Sequence, residues 1–327
     1  MTELEDTRDR LSRKLNFEVS KRLTMYDLYF EGEQPLKFIA PALADELGER
    51  LTKMIIELPR AGVAAYDERL DVTGFRYLSN QEEDEALWRD WLVNDGDMLS
   101  QQVHQESLAL GRAYMIVGPG EDDVPLITAE SPFDTIHEDD PRTHDVRNGY
   151  HRWTDLDGTR WCTVYTPDGR ITWYRPKRGG NWTVESETEN RAPLCSLVPF
   201  VNQPRMLGRL KAGKPDQRLG RSEFHSIIPI VDAINKMATD MMISGEFHAM
   251  PRRWAFGLKP EDFEDENGNP ISSWAMRAGS LWANEDKEIK VGQFKESDLS
   301  NFRSTIKDLI QIAGQLLALP GYYNPFE

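Results

Sequence analysis

Apolar positions in the first part of the chain recur with the period of a helix. One such pattern covers 43–58, and two more follow each other within 82–110. We expect Pro59 to end the first of these helices, because proline cannot continue a helix that precedes it. Residues 61–77 lack the helical period and predict a short extended segment with a turn at Gly74.

From Ala113 onward the period changes to that of strands. The predicted strands are 114–117, 124–128, 150–154, 160–165 and 171–174. A Gly-Pro-Gly turn separates the first two, and Asp-Gly dipeptides at 157–158 and 168–169 separate the last three. Such dipeptides supply the positive φ angles of tight hairpins. We therefore expect a hairpin followed by an antiparallel meander.

Two long apolar stripes near the end of the chain each predict a helix of about 30 Å, at about 1.5 Å per residue. The first stripe runs over 227–242, with Ser222 as its expected N-cap, and the second runs over 299–317, with Ser297 as its cap. A polar insert, 252–295, lies between them. Helices and antiparallel strands in separate stretches predict the α+β class.

Charge and cysteine content narrow the possible functions. The 39 basic and 55 acidic residues give a formal net charge of -16, which disfavours a general grip on phosphate, since counterion release needs clustered Lys and Arg. Contact with DNA must then be local, loose or repulsive. Cys162 and Cys195 form no metal or disulfide pattern and fit a reducing cytoplasm.

Nothing in the sequence predicts export or membrane insertion. Residues 1–14 are charged throughout and lack the apolar core of a secretion signal. No window approaches the roughly 20 apolar residues that a membrane-spanning helix needs.

Residues 202–221 show no periodicity and predict a long exposed loop. The loop has one acid, Asp216, and six basic residues: Arg205, Arg209, Lys211, Lys214, Arg218 and Arg221. We favour a solvated loop over a contact with nucleic acid or with another subunit.

Three motifs resemble nucleotide or metal sites, and each lacks a required element. The glycines and lysine of 208–214 match a phosphate-binding loop, but Pro215 replaces the hydroxyl residue that would hold magnesium. The acids of 262–268 lack the spacing of a calcium loop. The His and Asp residues of 137–145 lack metal-ligand spacing and predict a surface loop instead. We expect no cofactor and no metal.

Four tryptophans of the predicted meander leave a second function open. They are Trp153, Trp161, Trp173 and Trp182. Exposed tryptophans near acids would suit a carbohydrate-binding or glycoside-hydrolysing face. Strand alternation more commonly buries such residues, and no pair of carboxylates stands out as acid and base, so we favour core packing. Since no nucleophile motif is present either, we predict that the protein is not an enzyme.

Several segments, taken in order, resemble the portal proteins of tailed bacteriophages, of the kind found in siphophages of Gram-positive hosts. The similar segments are 26–32 (YDLYFEG), 69–75 (RLDVTGF), 106–118, 198–202 (VPFVN), 220–222 (GRS), 230–235 (IVDAIN), 251–253 (PRR) and Gly257. The resemblance covers nearly the whole chain from Tyr26 onward.

The resemblance implies a portal-like division of the chain. Residues 1–220, a helical and β-meander part, would form the wing, together with the chain after the second long helix. Residues 221–251 and 296–319 would be the two stem helices, and 252–295 a small α/β clip. Residues 320–327 would begin the tunnel-loop region, where the chain ends early, as a natural short form or a truncated one.

The resemblance also implies a function. Portal proteins are non-enzymatic subunits of rings, usually dodecameric, at the capsid vertex of the virion; the rings assemble in the host cytoplasm. DNA passes through the ring during packaging and ejection, without sequence specificity and without a membrane. The implied partners are further copies of the chain, the terminase large subunit that hydrolyses ATP, a head-tail adaptor, and the capsid and scaffold proteins.

The insert between the two long helices is the expected docking region. It is polar, yet it carries aromatic and arginine residues of the kind that dominate binding interfaces. The predicted partner-binding residues are Arg252, Arg253, Trp254, Phe256, Trp274 and Trp282. The alternative is that the aromatic side chains pack the core of the clip itself.

Overall fold

The computed structural model confirms the α+β class. It describes residues 3–37, 54–77, 83–120, 124–176, 182–190, 194–206, 214–249, 253–256, 290–293 and 299–320. The helices are α1 (Glu3–Glu18), α2 (Thr24–Phe30), α3 (Leu58–Asp67), α4 (Glu85–Val93), α5 (Gly96–Leu110), α6 (Ile228–Ala249) and α7 (Ser300–Leu316), with a π-helical turn at Val19–Leu23. The strands are β1 (Arg112–Gly118), β2 (Leu126–Glu130), β3 (Thr135–Asp139), β4 (Val146–Thr154), β5 (Arg160–Tyr165), β6 (Arg170–Pro176), β7 (Trp182–Glu189), β8 (Leu197–Val201), β9 (Arg253–Phe256) and β10 (Lys290–Gln293).

The chain divides into two compact units. The first comprises Met1–Pro35, Glu57–Pro229 and Gly314–Tyr323, and it holds α1 to α5 and β1 to β8. The second comprises Leu36–Ile56, Ile230–Ala313 and Asn324–Glu327, and it holds β9, β10 and most of α6 and α7.

Two antiparallel sheets form the centre of the first unit. The larger sheet is the meander β3-β4-β5-β6-β7, in which each strand pairs with the next along the chain. The smaller sheet has the order β2-β1-β8, so that β8 returns after the meander to pair with β1. In that pairing Arg112 lies opposite Val201, while at the other end of β1 Gly118 lies opposite Leu126.

The smaller sheet is covered on both faces. On one face Ala113 and Met115 of β1 pack with Trp91 of α4 and Val103 of α5. On the other face Tyr114 and Ile116 form a buried cluster with residues of the larger sheet, namely Tyr165 and Ile171. Alternation along β1 therefore joins the helices α4 and α5 to the larger sheet through one central strand.

Helix α1 covers the opposite face of the larger sheet. Leu11 and Leu15 are completely buried and pack with Tyr150, Cys162 and Tyr174. Burial of each leucine contributes on the order of 2 kcal/mol. The N-terminal helix is thus an integral layer of the first unit.

Pro59 begins a helix instead of ending one. It lies in the first turn of α3, and the extended segment predicted for 61–77 is wrong over its first half. Proline is favoured at this position because its missing N–H would have no partner in the first turn and its φ is already helical. Most of the helix predicted before it, residues 43–53, lies outside the described residues.

The remaining patterns of the first unit agree with the structure more closely. The two helices predicted in 82–110 are α4 and α5, and Gly111 ends α5 with φ of 91°. The predicted meander strands are β4, β5 and β6, and the Gly-Pro-Gly hairpin joins β1 to β2. Strands β3 and β7 extend the meander at its two edges.

The second unit contains the two long helices that the apolar stripes predict. Near the start of α6, Lys37 Nζ lies 2.8 Å from Asp232 Oδ2, and Asn235 Oδ1 accepts a hydrogen bond of 2.9 Å from Ile56 N. Strands β9 and β10 pair in antiparallel fashion at the two ends of the polar insert. Ser297, the predicted cap of the second helix, lies outside the described part of the chain.

Candidate functional site

The candidate site is the junction through which the chain leaves the meander and enters α6. Three main-chain segments cross there. Asn202 N donates to Gly111 O at 2.9 Å, and Arg221 N donates to Asn202 O at 3.0 Å. The end of α5, the end of β8 and the segment before α6 are therefore held together by their own backbones.

Two glycines allow this crossing. Gly111 and Gly220 have φ of 91° and 74°, in the left-handed region that other residues rarely adopt. A Cβ on Gly220 would lie 2.2 Å from Gly111 O, and one on Gly111 would lie 2.7 Å from the Cα of Arg221. Both contacts are too short for carbon, so a side chain at either position would push the segments apart.

Side chains at the surface of the junction add further bonds. Asn202 Nδ2 and Gln203 Nε2 donate to Glu223 Oε2 at 2.9 and 2.7 Å. Arg221 Nε donates to Gln203 Oε1 at 2.8 Å. The end of β8 is thereby tied to the residues that precede α6.

A buried ionic cluster lies beneath the crossing, and we call Glu18, Arg22 and Arg112 the buried clamp. Glu18 and Arg112 are 0% exposed and Arg22 is 7% exposed. Glu18 Oε2 accepts from Arg22 Nη2 at 2.7 Å and lies 3.8 Å from Arg112 Nη1. One carboxylate thus faces two guanidinium groups away from water.

The clamp holds the main chain just before α6. Glu18 Oε1 accepts from Asp216 N at 3.0 Å, and Arg22 Nη1 donates to Gly220 O at 2.7 Å. Arg112 Nη1 donates a longer bond of 3.4 Å to Leu219 O. These bonds to main-chain atoms fix the path of 216–220. The buried clamp therefore has a structural role.

A buried histidine continues the polar network from β1 to β3. A hydrogen bond of 3.1 Å joins Tyr114 Oη and His137 Nδ1, and Lys14 Nζ donates to His137 O at 3.1 Å. Burial, reinforced by the positive charges of Lys14 and Arg112, lowers the pKa of His137 to about 3. The imidazole is therefore neutral at pH 7, and its 3.4 Å contact with Asp139 is not an ion pair.

The hydroxyl of Ser222 does not cap α6. A 3-10 turn, Glu223–Ile227, precedes the helix, and Ser222 Oγ instead donates to Leu108 O at 3.4 Å. A hydrogen bond of 2.9 Å between Tyr26 Oη and His225 Nδ1 attaches the same turn to α2. The N-cap prediction is wrong because the hydroxyl of Ser222 is bonded to a main-chain carbonyl of α5 instead.

The basic loop is more structured at its end than its sequence predicts. Asp216 and Leu219 are 6% and 2% exposed, so the expectation of an exposed loop is wrong for 216–220. Arg218 is paired with Asp216 at 3.1 Å. Residues 207–213, with most of the phosphate-loop-like motif, lie outside the described residues.

The surface loop predicted for the His and Asp residues of 137–145 is confirmed for 140–145 and wrong at its start. His137 and Asp139 belong to β3, and His137 is 2% exposed, because neighbouring elements bury it. Over the ranges described, no group of three or more His, Cys, Asp or Glu side chains could hold a metal ion. The calcium-like segment 262–268 falls outside those ranges.

The four tryptophans of the meander do not share one environment. Trp173 and Trp182 pack against the buried clusters, as predicted. Trp153 is 36% exposed and stacks on Trp161 with ring centroids 5.4 Å apart and planes at 7°. For this pair the core-packing prediction is wrong, because the two rings cover each other at the surface.

The predicted docking residues are only partly within the described chain. The backbone of Arg253, Trp254 and Phe256 forms β9. Arg252, Trp274 and Trp282 lie outside the described residues. The docking role of all six therefore stays a prediction.

Comparison with known proteins identifies the family. Residues 16–321 match the family model described as phage portal protein, SPP1 Gp6-like, and the chain belongs to that family. The chain is 25% identical over 317 residues to the portal protein of Mycobacterium phage L5, covering 94% of this chain and 63% of that protein. It is 26% identical over 308 residues to the portal protein of Mycobacterium phage D29, covering 90% and 60%. The chain thus spans less than two thirds of the length of these curated relatives.

The segments that carry the resemblance meet at the junction. Gly111 and Arg112 belong to 106–118, Asn202 ends 198–202, and Gly220 begins 220–222. The main-chain crossing is therefore built from three of the segments that carry the resemblance, whereas Glu18 and Arg22 lie before it. No helix in the described portion is long and apolar enough to cross a membrane.

Replacing Glu18 with glutamine should destabilise the first unit strongly. The change keeps the shape of the side chain but leaves Arg22 and Arg112 buried without a counter-charge, which costs about 3–5 kcal/mol. The measurement is the free energy of unfolding in urea.

The matched control for Glu18→Gln is Glu138→Gln. Glu138 pairs with Arg10 at 2.6 Å on the surface, and exposed pairs contribute at most about 1 kcal/mol. Equal losses in the two variants would contradict the role of the buried clamp.

His137 should make the protein less stable as the pH falls below about 6.5. Between that pH and about 3, the unfolded chain binds a proton at this residue and the folded chain does not. The loss is about 1.4 kcal/mol per pH unit, hence about 2 kcal/mol at pH 5. Between pH 7 and pH 5, the free energy of unfolding of the wild type should therefore fall by about 2 kcal/mol more than that of His137→Gln.

The control for the pH measurement is the exposed residue His144. His144→Gln should keep the pH dependence of the wild type. An unchanged slope in His137→Gln would show that the buried imidazole does not couple stability to pH.

Proposed function

We propose that this chain is the subunit of a portal ring at the vertex of a phage capsid. DNA would enter the capsid through the ring during packaging and leave through it during ejection. The observation that carries the proposal is the match of residues 16–321 to a family of phage portal proteins. The meeting of 106–118, 198–202 and 220–222 at one junction supports it, because the same segments carry the resemblance in sequence.

We propose further that the first unit is the wing and that α6 and α7 belong to the stem. Two observations support this division. Residues 314–323, after most of the second long helix, belong to the first unit, and Tyr66 Oη donates a hydrogen bond to Leu317 O. At 22 and 17 residues, α6 and α7 are about 33 and 26 Å long at about 1.5 Å per residue, a length suited to a channel wall.

The insert 252–295 is proposed as the clip. Its two ends are held side by side, because Arg253 lies opposite Gln293 and Phe256 opposite Lys290 in the ladder of β9 and β10. A segment closed at its base in this way can form a separate tip. We assign to it the docking of the terminase large subunit and the head-tail adaptor, through the arginine and aromatic residues named above.

The proposed relation to DNA is passage without capture. The formal net charge of -16 supports it, since a wall poor in clustered cations offers no deep binding site for phosphate. In this proposal the protein is not an enzyme, and the terminase hydrolyses ATP. Its remaining partners are further copies of the chain and the capsid and scaffold proteins, first in the host cytoplasm and then in the virion.

The ring should be visible directly. Purified protein at high concentration should form closed rings with a central hole, because head-to-tail contacts that close give rings. Negative-stain microscopy with light scattering measures both the shape and the number of subunits. If the chain, and also a version extended to the full length of its relatives, stays monomeric at every concentration, the portal proposal is wrong.

The clip assignment has its own test. Replacing 258–288 with a short flexible linker keeps the ladder of β9 and β10 and removes Trp274 and Trp282. The variant should melt as cooperatively as the wild type, because the replaced residues would form a separate tip. It should lose binding to the adaptor of the same phage, measured by calorimetry with purified proteins.

The matched control for the clip variant is Trp153→Ala, which removes an exposed tryptophan of the first unit. It should leave adaptor binding unchanged. Loss of cooperative melting in the clip variant would show that 258–288 is part of a core, and undiminished binding would show that the docking surface lies elsewhere.

A further inference from the structure

Arg112 of the buried clamp has one edge of its guanidinium group without an acceptor in the described chain. Its Nη1 donates to Leu219 O and faces Glu18, whereas Nε and Nη2 are buried and make no hydrogen bond to any described residue. These two nitrogens carry the parallel N–H bonds with which arginine binds anions in bidentate fashion. Arg112 is 0% exposed, so water at the protein surface cannot serve this edge.

The second arginine of the clamp has a similar buried donor. Arg22 uses Nη1 for Gly220 O and Nη2 for Glu18, but its Nε has no partner within the described ranges. Burial lowers the pKa of Arg22, and the positive charge of Arg112 acts in the same direction. The two guanidinium groups are thus close enough to repel each other. A buried donor without an acceptor is costly, and the cost is greater for a charged group.

The charges of the clamp do not balance. Arg22 lies 2.7 Å from the carboxylate of Glu18 and Arg112 lies 3.8 Å from it, so one negative charge serves two positive ones. Lys14 also faces Arg112 and is a further cation, and the acids around Lys14, with Asp216 first among them, compensate its own ammonium group. The clamp therefore carries one positive charge more than its carboxylate compensates.

Neutral groups near Arg112 do not supply the missing charge. The hydroxyl of Tyr114 interacts with Arg112, but it is uncharged and is already joined to His137 Nδ1 at 3.1 Å. The imidazole of His137 is neutral at pH 7. The carbonyls of Leu219 and Gly220 already accept from the Nη1 atoms of the two arginines. The edge of Arg112 therefore calls for a small acceptor with a negative charge.

We propose that the buried clamp binds a small monovalent anion of the size of chloride on the Nε and Nη2 edge of Arg112. The anion accepts both N–H bonds and supplies the charge that Glu18 alone does not provide. Because Arg112 is completely buried, the site takes an ion about as small as a water molecule and excludes the phosphate groups of DNA. The inference goes beyond the proposed function, since it holds whether or not the chain forms a ring.

An ordered water molecule is the competing occupant of this edge. Water commonly satisfies buried polar groups, and it could accept the same N–H bonds. It would leave the excess positive charge of the clamp in place, however, and an uncompensated charge inside a protein is strongly destabilising. An anion removes both costs, so the charge of the clamp favours it over water.

Replacing gluconate by chloride at a constant ionic strength of about 0.1 M tests the site, because screening then stays the same. Gluconate is too large to enter a buried site. The ratio of folded to unfolded chain, followed by tryptophan fluorescence during thermal unfolding, should rise several-fold along a saturating curve, since chloride binds only the folded chain. Arg112→Lys keeps the positive charge but removes the bidentate edge, and it should abolish the dependence on chloride.

The matched control is Arg10→Lys. Arg10 pairs with Glu138 at 2.6 Å on the surface, so this variant should keep the full dependence on chloride. A second measurement decides the case in which Arg112→Lys does not fold. Crystals of the wild-type chain grown in bromide should show an anomalous difference peak in contact with Nε and Nη2 of Arg112.

Each other outcome overturns the proposed site. Equal stability in chloride and gluconate, or a rise without saturation, shows that no specific site is filled. A dependence that persists in Arg112→Lys places the anion elsewhere. A peak at Arg112 without anomalous signal identifies water, and a bromide peak without any effect of chloride in solution means binding at crystal concentration only. None of these outcomes bears on the ring, which microscopy tests separately.

Discussion

The structure of the first unit depends on one buried carboxylate. Glu18 is the counter-charge of Arg22 and Arg112, and it also accepts the N–H of Asp216. Charges removed from water are tolerated only when each is compensated, so separating any of these groups leaves an unpaired ion inside the protein. As a result α1, β1 and the segment before α6 must stay together. The N-terminal helix and the turn after it therefore fix the main chain at 216–220, far along the sequence.

The glycines at the crossing make the clamp geometrically possible. With a side chain at Gly220 or Gly111, the main chains would separate, and the carbonyls of Leu219 and Gly220 would move away from the guanidinium groups. Electrostatics and sterics thus act on the same few residues. Three segments that are far apart in sequence, 106–118, 198–202 and 220–222, therefore meet in space for both reasons.

Local patterns predicted α4, α5 and the strands β1, β2, β4, β5 and β6 of the first unit, and the errors have both local and long-range causes. The Asp-Gly turns and strand alternation identified the centre of the meander, whereas β7, an exposed edge strand rich in glutamate, has no apolar alternation to reveal it. Pro59 was misassigned because proline is common both in the first turn of a helix and just after the end of one. The spacing of the apolar residues alone does not distinguish the two positions. The clamp could not be predicted, since Glu18 and Asp216 are 198 positions apart. His137 looked like a surface residue for the same reason, because distant residues bury it.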